Sequence, residues 1–138
     1  MSRIPARTIR IAALVYVAAL TVVSLLPSGR NTLGGWDSQL TPTIQNALHV
    51  PAYAGLMVLV YLGFQSPRRT GLARLFLTAA ACGVFGAALE IAQWFVPGRT
   101  PSAIDVLLNL AGVALGVTIA LSRRKAGRTT KASVEGLL

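Results

Sequence analysis

Residues 72–95 read LARLFLTAAACGVFGAALEIAQWF, and this stretch decides the fold. A helix rises about 1.5 Å per residue, so the run is long enough to cross a hydrocarbon core of about 30 Å. It lacks the period-two alternation that a strand would need. Glu90 stands near its far end. An ionisable group in hydrocarbon is costly, and its default reading is a functional site facing the protein interior.

Three further apolar runs flank this one, at about Ile9–Leu26, Thr43–Phe64 and Ser102–Leu121. The breaks between them carry Pro27-Ser28-Gly29 and Pro97-Gly98, and Thr41-Pro42 offers an N-cap followed by proline at the first helical position. The chain has 138 residues, 54% hydrophobic and 12% charged, against about 25% charged in an ordinary soluble domain. The reading is an all-α, polytopic membrane protein, with four transmembrane helices in an antiparallel bundle. Residues 1–121 form one unit, and 122–138 form a basic, disordered cytoplasmic tail that rests on anionic lipid. No small-x-small cleavage site precedes Pro27, so the first helix is expected to be retained. Cys82 is the single cysteine, which rules out an intramolecular disulfide; it reads as a packing residue.

The basic residues orient the bundle. Arg3, Arg7 and Arg10 precede the first run, and Arg68, Arg69 and Arg74 lie between or just inside the second and third. Arg123, Arg124, Lys125, Arg128 and Lys131 follow the fourth. These eleven of thirteen basic residues fall on one side, and only Arg30 and Arg99 on the other. The positive-inside rule puts both termini in the cytoplasm. The net charge of +9 is thus a topology signal, and no nucleic-acid partner is expected.

With that topology His49, Glu90, Gln93, Arg99, Asp105 and Asn109 all fall in the outer half of the bilayer or at its outer surface. Tyr53 lies one turn from His49 on the same face, and Pro51 removes a backbone donor beside it. At about 100° per residue, Asp105, Asn109, Gly112 and Gly116 share one stripe. Ala79, Gly83, Gly86 and Glu90 share another. Small residues allow close helix approach, so each carboxylate caps a packing face. The expected shape is a bundle tight toward the cytoplasm that opens outward into a polar pocket. Blander roles stand beside this. Ser102 and Asp105 fit a capping box, Glu90 and Arg99 fit a structural ion pair, and His49 fits a bond to Tyr53 or to a backbone carbonyl. Trp94 and Phe95 read as an interfacial aromatic belt. Trp36 and Asp37 carry no specific signal.

The segment Glu90-Ile-Ala-Gln93-Trp-Phe-Val-Pro97-Gly98-Arg99, followed by Asp105, Asn109, Gly112 and Gly116, resembles the signature of the VanZ-like family. His49 and Tyr53 resemble its His-aromatic-x-x-Tyr segment. The resemblance covers about Thr41 to Leu121. It departs at Gln45-Asn46, where the family often has an Asp-Lys pair, and at Val50, where Phe is common. The resemblance implies a multi-pass protein of the bacterial cell membrane, in a family named for resistance to the glycopeptide teicoplanin.

Two functional classes fit, besides a purely structural membrane protein. One is a module binding an anionic envelope lipid or lipid-linked cell-wall precursor, with Arg99 as the anion partner and Gln93, Asp105, Asn109 and Tyr53 around it. The other is an enzyme acting on such a lipid, with Glu90 and His49 as acid and base. A metal held by His49, Glu90 and Asp105 is not expected, because no H-x-x-x-H or H-E-x-x-H spacing is present. No cofactor is expected. No serine or cysteine nucleophile with an adjacent base is evident. A transporter is disfavoured by the lack of an inverted repeat. The sequence leaves the oligomeric state open.

Overall fold

The computed structural model describes residues 4–27, 42–64 and 71–135, without the side chains of 42, 43, 45 and 125–135. Thr41, Trp36, Asp37, Arg30, Arg68 and Arg69 therefore lie outside the described residues. Four helices follow one another: α1 at Ala6–Leu25, α2 at Pro42–Gly63, α3 at Gly71–Gln93 and α4 at Ala103–Glu135. Each contains a stretch long and apolar enough to cross a membrane. Among the described residues there is no strand.

α2 is the centre of the bundle. Its most extensive packing is with α4, then with α1. Tyr53, Leu56, Met57 and Tyr61 of α2 meet Leu75 and Cys82 of α3 and Val113 and Ala120 of α4 in one buried cluster. Small residues on α4 make the close approach. A Cβ at Gly112 would come within 2.5 Å of the Val50 carbonyl oxygen, and one at Gly116 within 2.6 Å of Met57 Cβ. The two sequences advance together along this contact, so α2 and α4 run side by side in the same direction. Pro51 sits inside α2 without ending it, which membrane helices accommodate when neighbours cover the freed carbonyl.

α1 is the most peripheral helix: Ala13 is its single buried residue. Tyr16 ties it to α2 by donating its hydroxyl to the Ala52 carbonyl at 3.0 Å. Arg10 ties it again by donating Nε to the Gly63 carbonyl at 2.8 Å, at the end of α2 where backbone carbonyls lack helical partners. The outward faces are apolar. Leu14, Val15, Val22, Phe76, Val84, Ile91, Leu107 and Ile119 are exposed. Such a surface needs a bilayer around it rather than water.

The expectation of a disordered tail from Ser122 is corrected: α4 continues to Glu135. Nothing at Ser122 stops it. The Ser122 hydroxyl bonds back to the Thr118 carbonyl at 3.0 Å, and the residues beyond are mostly helix-tolerant lysine, arginine and alanine.

Candidate functional site

The polar residues converge at one end of the bundle, where α1 ends, α2 begins, α3 ends and α4 begins. One nitrogen of His49 and one carboxylate oxygen each of Glu90 and Asp105 lie within 4.8 Å of one another. The residues come from three different helices. Glu90 is 4% exposed, and His49 and Asp105 are partly buried.

Each member has a distinct set of partners. Glu90 Oε2 accepts the backbone N–H of Ser102 at 3.4 Å. His49 Nδ1 lies 3.2 Å from the Asn46 carbonyl oxygen. A carbonyl only accepts, so this bond requires the proton on Nδ1, and in the neutral ring it leaves Nε2 as the acceptor. Asp105 Oδ1 is buried with no hydrogen-bond partner among the described residues. The capping box forms only in half. The Ser102 hydroxyl accepts the Ile104 N–H at 3.2 Å, but the return bond to Ser102 N–H comes from Glu90 across the helix interface.

One turn deeper lies a second layer. Asn109 is 2% exposed, and its Oδ1 has no partner among the described residues. Its Nδ2 and the Tyr53 ring press on the bare face of Gly86, 3.2 and 2.8 Å from where a Cβ would stand. A Cβ on Gly83, below it, would meet Leu110 Cδ2 at 3.1 Å. Tyr53 is 3% exposed.

Gln93 and Arg99 do not join the cluster through hydrogen bonds. Gln93 Nε2 donates to the Ser24 carbonyl at 3.1 Å. Arg99 donates Nε to the Leu26 carbonyl and Nη2 to the Val23 carbonyl, both at 3.2 Å. Together they clamp the end of α1. A cation there also suits the negative end of the helix dipole. Gly98, at φ 77°, makes the turn that delivers Arg99; a residue with a Cβ rarely adopts that conformation. The considered Glu90–Arg99 ion pair is thus replaced by an arginine on α1 carbonyls. Sequence reasoning missed this anchor, because its acceptors are backbone groups some seventy positions away.

Beside the cluster an open groove of about 320 Å³ runs between α3 and α4. Ala87, Ile91, Trp94, Pro101 and Val106 form its apolar walls, and Glu90 and Ser102 supply polar groups. Trp94 and Phe95 stand out from the surface at 75% and 83% exposure. At the opposite end of the bundle a cavity of about 310 Å³ is lined by Tyr61, Arg74, Arg123 and Arg124, among others. Arg74 lies over the Tyr61 ring there, 4.4 Å from its centre, a cation–π arrangement.

No curated protein and no solved structure matches the chain. A family model does, described as VanZ/LLP1, over residues 5–124. The match extends beyond the segment 41–121 that carries the sequence resemblance and takes in α1, the helix that Gln93 and Arg99 hold in place. With Glu90, Gln93, Arg99, Asp105 and Asn109 all inside the matched region, the chain belongs to the VanZ/LLP1 family.

Proposed function

We propose that this protein lies in the bacterial cell membrane with both termini in the cytoplasm, and that its outward-facing groove binds an anionic envelope lipid or a lipid-linked cell-wall precursor. The observation that carries this reading is an apolar groove running alongside a buried polar cluster. The walls of Ala87, Ile91, Trp94 and Val106 suit an acyl or prenyl chain. The polar groups of Glu90, Ser102 and the neighbouring His49 and Asp105 suit a headgroup. The orientation rests on the basic residues, which crowd the opposite end of the bundle around Arg74, Arg123 and Arg124. Arg99 contributes a fixed positive charge near the outer mouth, although two of its donors are engaged with α1.

An enzymatic reading is favoured by one observation, the closeness of His49 to Glu90. A histidine and a carboxylate in a sheltered site can pass a proton to and from a bound lipid.

Mass spectrometry of the protein released from native membranes tests the binding reading. An anionic lipid or lipid-linked precursor retained at one per chain, and lost in Val106→Trp, is the expected result. Retention unaffected by filling the groove contradicts it. Teicoplanin susceptibility of cells with and without the protein is the envelope phenotype to score.

A further inference from the structure

The polar cluster is rich in acceptors and poor in donors. Glu90 has one oxygen engaged by Ser102 N–H. Asp105 Oδ1 and, one turn below, Asn109 Oδ1 are buried with no partner among the described residues. His49 with its proton on Nδ1 presents a lone pair at Nε2. Buried acceptors are nearly always satisfied. The adjacent cation, Arg99, turns its hydrogen bonds to the carbonyls of Leu26 and Val23. The cluster thus gathers several buried oxygen and nitrogen acceptors with few donors among the described residues.

We infer that His49, Glu90 and Asp105 bind a divalent transition-metal ion of the zinc or manganese class. The geometry fits. Their ligand atoms lie within 4.8 Å of one another, and neighbouring ligands on a tetrahedral ion with bonds of about 2.0–2.2 Å stand about 3.4 Å apart. Small rotations of the side chains close the difference. Three helices supply one ligand each, as metal sites in helical bundles do. The Nδ1–H bond to the Asn46 carbonyl is the support that fixes a metal-binding imidazole with Nε2 forward. One imidazole with two carboxylates favours zinc or manganese over calcium and magnesium, which prefer oxygen alone. Asn109, one turn along α4 from Asp105, is 2% exposed, and its buried Oδ1 has no partner among the described residues. Three protein ligands also leave coordination open. A cation here converts a site that repels an anionic group into one that attracts it. The proposal stands on the cluster alone and does not depend on the lipid reading.

Spacing along the chain does not announce this site. His49, Glu90 and Asp105 are brought together by packing between helices, so no local motif marks them.

The test uses the full chain in detergent, stripped with a chelator and then dialysed against Zn²⁺, Mn²⁺ or Ca²⁺. Saturable binding of one Zn²⁺ or Mn²⁺ per chain, with Ca²⁺ weaker, is expected. His49→Gln and Asp105→Asn should each weaken binding by more than the roughly 10–100-fold that a lost supporting contact costs. Cys82→Ser should bind as the parent does, which excludes the thiol. X-ray absorption of the zinc form should report nitrogen and oxygen neighbours without sulfur. This last readout needs no variant, so a misfolded substitution does not blunt the test. Absence of saturable binding overturns the proposal. Unchanged binding in both variants overturns it equally, because the ion then sits elsewhere. Metal binding by the chain with no lipid retained, or lipid retained with no metal bound, separates failure here from failure of the lipid reading.

Discussion

Glu90 Oε2 accepts the backbone N–H of Ser102 at 3.4 Å, the bond that Asp105 would make in a complete capping box. A carboxylate from α3 thus closes the first turn of α4, where a negative charge is favourable. Asp105 is released from capping and turns toward His49 and Glu90. The interface between α3 and α4 is therefore held by a polar contact at the same level as the site.

This predicts unequal effects at the two residues. Ser102→Ala loses only the hydroxyl bond to Ile104 and should lower stability by about 1 kcal/mol, with function retained. Glu90→Gln keeps an oxygen for Ser102 N–H, so it should fold yet lose function, because it carries neither charge nor exchangeable carboxyl proton. Thermal unfolding in detergent and an envelope phenotype, scored separately, check this. A fully functional Glu90→Gln would remove the carboxylate from the chemistry.

Arg99→Gln should loosen α1, since two bonds to its last carbonyls are lost. A net cost of about 1–3 kcal/mol is expected. Were Glu90 and Arg99 an ion pair, the double change with Glu90→Gln would restore part of that cost. The α1 anchor predicts the opposite: effects that add to within about 0.5 kcal/mol. A double-mutant cycle in unfolding experiments decides between them.

Gly112→Leu and Gly116→Leu should each destabilise the bundle by at least the roughly 1–3 kcal/mol typical of overpacking. The atoms they would meet are α2 backbone and the root of Met57, which cannot swing away. Gly83→Ala should be milder, because its nearest neighbour is the tip of Leu110. Melting temperatures ranked in that order support the packing; wild-type stability at Gly112 contradicts it.

Orientation is testable apart from chemistry. A reporter fused after Leu138 should be cytoplasmic, and one inserted near Asn31 should be external. An external C-terminus would reverse the sidedness of every site residue.

Much of this was legible in the sequence, and for physical reasons. Helix existence follows from apolar length, and the segments at 43–64 and 72–95 lie within two residues of the observed α2 and α3 at each end. The co-location of His49, Glu90 and Asp105 follows from counting turns along runs that must cross one slab. The facing of Gly112 and Gly116 follows from helical period and the need for small residues at contacts. What was not legible depends on partners that sequence does not mark. Arg99 and Gln93 bind backbone carbonyls of Val23, Ser24 and Leu26, and any residue offers a carbonyl. Ser102 reads as a cap because it is one, yet its own N–H is satisfied from another helix. The continuation of α4 beyond Leu121 is not marked in the sequence, because a basic cluster does not by itself end a helix and no proline follows it before Glu135.

Capture of the occupant in living cells tests the proposed lipid site in the groove beside Glu90. A photoreactive residue is placed in intact cells at Val106, which lines the groove, and separately at neighbouring Leu107, which is 65% exposed. The lipid trapped at Val106 is expected to be enriched in one anionic lipid or lipid-linked precursor, whereas Leu107 should trap lipid in the proportions of the surrounding membrane. The same bulk composition at both positions would contradict it.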